Sequence, residues 1–231
     1  MGRNLEKDAI EIAAKNRRIL ENGFRIFSEK TIEKVTMADV AKAAGIGIAS
    51  LYRYYSTKQE LVMGVSTWMW SEYMKVALQR AEESRRSGAT AAEEFDFYLE
   101  SFLDLYHNHK DMLRFNQFFN IYLQSEDISE EDKKPYMDVI FAFQRCFRET
   151  YLQGQRDGTL RTDLTAEKMF ALSLHLMLAA ATRYAVGLAY SEAHDAEEEL
   201  RLLKEMLCLR FTREQEGKKH GGTRSPAICT T

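Results

Sequence analysis

With 231 residues, 45% of them hydrophobic, the chain can bury a substantial core, as one large domain or two small ones. Two prolines and the lack of alternating β-branched runs exclude an extensive sheet and point to an all-α fold. The net charge of −3 excludes a uniformly basic nucleic-acid binder but hides a gradient, since residues 1–60 carry 11 Lys/Arg against 8 Asp/Glu and the remainder 21 against 27. A mildly basic start on an acidic body suits a protein that meets phosphates with one end only.

Helical spacing predicts a first helix over 5–30, with Leu20, Phe24 and Phe27 on the packing face. The residues at its start lead into an amphipathic helix instead of an apolar leader, so no signal peptide is expected. Cys146, Cys208 and Cys229 are odd in number and show no paired spacing, which fits a reducing compartment. A soluble cytoplasmic protein is the expectation.

Residues 36–61 hold the most specific signal. Thr36 is a good N-cap, and Met37, Val40, Ala41 and Ala44 then form one apolar stripe on a two-turn helix. Gly45 ends that helix and Gly47 keeps the turn tight. A second short helix over 48–54 sends Leu51 and Tyr55 inward and leaves Ile48, Ala49, Ser50, Tyr52, Arg53 and Tyr54 outside. Ser56 or Thr57 caps the next helix. Two short helices around a glycine turn make a helix-turn-helix, whose second helix enters the DNA major groove.

Over residues 10–65 the chain resembles the TetR-type (tetracycline-repressor-like) family of bacterial transcription regulators. The resemblance rests on Ala44-Gly45-Ile46, on Ser50-Leu51-Tyr52-Arg53-Tyr54-Tyr55 and on Lys58-Gln59-Glu60-Leu61. It departs where Gly47 replaces the usual serine cap and Ile48 a basic or polar residue; an apolar Ile48 offers only thymine-methyl contact. The candidate DNA-contacting set is Thr36, Met37, Gly47, Ile48, Ala49, Ser50, Tyr52, Arg53, Tyr54 and Lys58. Within it, Tyr52, Tyr54 and Lys58 are the phosphate candidates, and Ser50 and Arg53 the base readers. Lys58 opposes the helix dipole in the first turn of its helix, which makes more sense if a phosphate approaches.

A fourth helix is predicted over 57–86, ending before Gly88, followed by helices over 91–107 and 111–124. A seventh starts near Pro135 and closes at Gly158, and the last two cover 166–188 and 196–213. The expected division is a DNA-binding domain (1–56), a ligand-binding and dimerisation domain (57–215) and a disordered tail (216–231). No flexible linker separates the first two, so strain in the body can tilt the recognition helix. The apolar run 169–181 is shorter than the ~20 residues that span a bilayer, so no membrane contact is expected.

The middle helices are rich in aromatic residues. Trp68, Phe102, Tyr106, Phe119, Tyr122, Phe143 and Phe147 are expected to wall a cavity between helices 4 and 8. Asn120, Arg145 and His175 are the polar groups that would orient a small hydrophobic or aromatic effector there, although each ring taken alone could simply fill core. Apolar positions on helices 8 and 9 exceed what one domain can bury, and a homodimer through these two helices as a four-helix bundle accounts for them.

His107 and His109 fall on different faces with no acidic or cysteine partner in register, so no metal site is expected. No cofactor is expected, and neither a phosphate loop nor a nucleophile elbow supports an enzyme. The expected function is a ligand-responsive DNA-binding regulator, a repressor that leaves a near-palindromic operator when an effector binds. The alternatives are a helical interaction or scaffold protein that has lost DNA binding, and a helical-bundle enzyme using the cavity.

Overall fold

The computed structural model describes residues 5–187 and 195–213. Among the described residues nine helices follow one another: α1 (Leu5–Lys30), α2 (Met37–Ala43), α3 (Ile48–Tyr52), α4 (Lys58–Arg86), α5 (Ala91–Asn108), α6 (Lys110–Ser125), α7 (Glu130–Asp157), α8 (Ala166–Val186) and α9 (Ala196–Phe211). An isolated antiparallel bridge pairs Leu160 with Thr212. The expected tail (216–231), Leu188 and Cys229 lie outside the described residues.

Local chemistry accounts for most helix starts. Thr90 and Thr165 each accept a hydrogen bond from the third residue of the following helix, and Asp195 caps α9 through the N–H groups of Glu197 and Glu198. Thr57 caps α4, accepting from the Glu60 N–H at 3.0 Å. The seventh helix starts earlier than the proline suggests. Ser129 takes the Asp132 N–H at 3.1 Å, three acidic residues fill the first turn, and Pro135 sits inside the helix. At the sixth position of the helix, the proline lacks the N–H that would bond the Glu131 carbonyl, one turn in from the capped start.

Two ends are also corrected. α3 is five residues long instead of seven, so Arg53 becomes its C-cap and Tyr54 lies beyond it. α9 stops at Phe211, where the Arg161 N–H donates to the Phe211 carbonyl at 2.7 Å and draws the chain into the bridge.

α8 is long and apolar enough to cross a bilayer by length and composition. The expectation of no membrane-length segment is corrected to that extent: the helix runs from Ala166 to Val186, past both ends of the interrupted 169–181 run. In the fold α8 packs among α5, α6, α7 and α9, burying Met169, Phe170, Met177 and Ala181.

The core is continuous from Ile19 and Phe27 on α1, through Leu51 on α3 and Leu61 and Val65 on α4, to Phe95, Phe115 and Phe211 in the body. α1 contacts α2, α4 and α6, so the helix-turn-helix is fastened to the body through α1 and α4. Gly64 shows how tight that join is. A Cβ there would lie 2.8 Å from Cε1 of Tyr55, three residues past the end of α3.

Candidate DNA-binding surface and effector cavity

α2 is fixed by a capping box. Thr36 Oγ1 accepts the Asp39 N–H at 3.2 Å, and the Asp39 carboxylate accepts the Thr36 N–H at 2.8 Å. The Thr36 hydroxyl also donates to that carboxylate at 2.6 Å, and this bond, followed by the one from the Thr36 N–H, holds the Asp39 carboxyl below its usual pKa. Gly45, at φ 64°, takes the left-handed turn that a side chain would strain. The Ile46 N–H then reaches back to the Ala41 carbonyl at 3.0 Å, and α3 starts at Gly47 with no side-chain cap.

The faces of α3 fall as the spacing predicts. Leu51 is buried, while Ile48 is 41% and Tyr52 49% exposed. Gly47, Ala49 and Arg53 are exposed and Ser50 is half-buried. Arg53 donates through Nη2 to Ser50 Oγ at 3.2 Å, so the two candidate base readers already hold each other on the outer face. Tyr55 donates its hydroxyl to Asn16 Oδ1 at 2.8 Å and anchors the end of this segment to α1.

Three members of the candidate DNA set sit differently from the expectation. Met37 is buried on the core side of α2, so its side chain cannot reach DNA; Thr36, beside it, is exposed. Tyr54 is half-buried against the core, leaving its outer edge for contact. Lys58 is half-buried too, donating to the Glu33 carbonyl at 3.4 Å with its ammonium 5.9 Å from the Tyr122 ring centre. Burial pulls its pKa below the usual lysine value, against the opposing pull of the Glu33 and Glu126 carboxylates.

A cavity of about 230 Å³ does lie among α4, α5, α6, α7 and α8. Phe102, Phe143, Asn120 and His175 of the predicted set line it, with Asn120 and His175 at its more exposed side. The other predicted members are elsewhere. Trp68 packs edge-on to Phe24 at 6.4 Å and faces an open groove beside α1. Tyr106 contacts Tyr184 and lies under the Lys110 ammonium at 4.2 Å. Phe119 stacks on Phe115 in the core, and Tyr122 sits under Lys58 at the junction with the helix-turn-helix. Arg145 is exposed on the outer side of α7, and Phe147 faces a smaller neighbouring cavity of about 50 Å³.

Trp70, Tyr73 and Tyr136 line the larger cavity as well, outside the seven rings expected to wall it. A signal for Trp70 exists: Met63, Ser66, Trp70 and Met74 recur at helical spacing, all buried, as a second stripe on α4.

Residues 19–65 match the family model described as bacterial regulatory proteins, tetR family. The transcriptional repressor KstR2 of Mycobacterium tuberculosis is 21% identical over 176 residues, spanning 72% of this chain and 79% of that protein. FadR of Bacillus subtilis, solved in complex with stearoyl-CoA, superposes with a TM-score of 0.64 at 15% identity, over 83% of this chain and 97% of that one. A regulator of Saccharomonospora viridis, solved with choline, gives 0.66 at 18% identity, over 87% and 100%. With its capped helix-turn-helix on an all-helical body, this chain carries over residues 19–65 the DNA-binding domain of the tetR family of bacterial regulatory proteins, and its body shares the fold of the superposed regulators.

Proposed function

We propose that the protein is an effector-released repressor, acting in the cytoplasm as a homodimer on a near-palindromic operator. Residues 1–56 form the DNA-binding unit and 57–215 the effector-binding and dimerisation unit, with no enzymatic role. The observation that carries this reading is the continuity between α3 and the cavity. Tyr55 at the end of the recognition segment abuts Gly64 on α4, and α4 runs on to Trp70 and Met74 in the cavity wall. KstR2 is named a repressor, and two of the superposed regulators were solved with small molecules bound, which favours repression and effector control here as well.

Exposed Leu172 and Leu176 on α8, with Leu202, Met206 and Leu209 on α9, supply the apolar face for a second copy. Filling the cavity changes the spacing of the paired recognition helices, and a preference of the effector for the released state of ~1–3 kcal/mol is enough. The test is salt-dependent binding of the purified protein to DNA flanking its own coding region. Binding that weakens with rising salt supports the regulator. Its absence favours a scaffold that has lost DNA binding, for which the exposed apolar Ile48 on the reading face is the observation.

A further inference from the structure

The small cavity beside Phe147 is apolar except for a buried polar cluster at one end. There Glu94 Oε2 accepts Arg85 Nε at 3.1 Å and the Thr150 hydroxyl at 2.6 Å. Arg85 spends its other nitrogens on Glu149 at 2.6 Å and on Cys146. Glu94 Oε1 is left buried with no hydrogen-bond partner in the protein, and so is the hydroxyl of Tyr98. The two residues are one helical turn apart on α5, with 5% and 9% of their surface exposed, and both line this cavity.

A buried carboxylate oxygen and a buried phenol with nothing to bond are costly, so an occupant that bonds both is favoured. Ser101 and Phe143 line this cavity and the 230 Å³ cavity alike, so the two adjoin. Resting on the reading of the body as an effector-binding unit, we infer that the effector is an amphipathic alcohol. Its hydroxyl donates to Glu94 Oε1 and accepts from Tyr98, while its apolar body extends past Phe143 into the larger cavity.

The charge of the cluster selects the head group. A carboxylate would meet Glu94 Oε1, an acceptor, with another acceptor. An ammonium would bury a full charge beside a carboxylate that is already paired with Arg85, whose second partner, Glu149, is solvent-exposed, and that burial costs more than burying a hydroxyl. Burial also raises the Tyr98 pKa well above its usual value, so the phenol stays neutral and free to donate.

The experiment is a thermal-shift titration of the full-length protein with n-octanol, n-octylamine and n-octanoate. Octanol is expected to raise the melting temperature most and octanoate least. Tyr98→Phe removes one bond without adding bulk and is expected to weaken octanol about tenfold. Glu94→Gln supplies a sharper readout. Arg85 and Thr150 require an acceptor at the Oε2 position, so the amide oxygen goes there and the NH₂ takes the place of Oε1. The unpaired acceptor becomes a donor, and preference should move from octanol toward octanoate.

Equal stabilisation by all three probes, abolished by Phe143→Ala but indifferent to Tyr98→Phe and Glu94→Gln, overturns the head-group assignment and leaves the cavity reading standing. A lack of any shift with all three overturns both.

Discussion

Gln59 Nε2 donates to Glu126 Oε2 at 2.9 Å, joining the first turn of α4 to the residue that caps the end of α6. One residue earlier, Lys58 lies over Tyr122 of the same helix. α6 also carries Asn116 and Asn120 into the wall of the larger cavity. One helix therefore touches both the base of the DNA-reading unit and the proposed effector site.

Lys58 has a single long hydrogen bond, to a backbone carbonyl, so N–H donors remain for a phosphate. Lys58→Ala is expected to weaken binding across all DNA sequences and to lower the salt slope by about one per recognition unit. Tyr54→Phe should weaken binding likewise, uniformly across sequences. Affinities measured at two salt concentrations check this, and unchanged values in both variants remove these residues from the interface.

Gly64 is a sharper probe of the join. Its missing Cβ leaves room for the Tyr55 ring, whose hydroxyl bonds Asn16. Gly64→Ala should push that ring aside, cost about 1–3 kcal/mol of stability as overpacking does, and reduce DNA affinity although residue 64 lies outside the reading face. Paired denaturant melts and DNA titrations test it. A variant that melts like the parent and binds DNA equally well shows that the ring yields freely and does not hold α3.

The helix-turn-helix was legible because its determinants are local. The Thr36 cap, the left-handed Gly45 and the Val40–Ala41–Ala44 stripe each act within a turn or two. The cavity was less so, because a long buried helix carries more than one apolar stripe. α4 offers Trp68 and Trp70 two residues apart, and only packing against α5 and α7 decides that Trp70 meets the cavity. Arg145 shares α7 with Phe143 but emerges on the outer side, since two residues along a helix turn a side chain by more than half a circle. The Arg85–Glu94 pair spans the turn between α4 and α5, and no periodicity announces it.

Gly47 tests whether the missing serine cap matters. Its φ of −69° suits any residue, and a Cβ built there meets nothing within 4 Å. Gly47→Ser should therefore fit without strain and raise stability by a few tenths of a kcal/mol as a better N-cap. It also places a hydroxyl on the exposed rim of α3, so tighter DNA binding with little sequence preference is expected. A loss of stability in chemical denaturation would show that the turn relies on glycine for some other reason.

The α8–α9 face supplies the last prediction. Leu202, Met206 and Leu209 are 52%, 65% and 73% exposed and recur at spacings of four and three, so they form one stripe on α9. Leu172 and Leu176, four apart, form another on α8. Such stripes gain stability when covered, at about 25 cal/mol per Å² of apolar surface, and a two-fold related copy presents the same stripes in return. The wild-type protein is expected to sediment as a dimer at micromolar concentration. Met206→Glu and Ala179→Glu should yield monomers, because each places a charge on this exposed side, where the monomer tolerates it and the pair does not. Monomers made this way should keep their helical content and lose affinity for a two-half-site DNA far more than for a single half-site. A wild-type protein that sediments as a folded monomer, or a Met206→Glu variant that stays dimeric, moves the interface off this face.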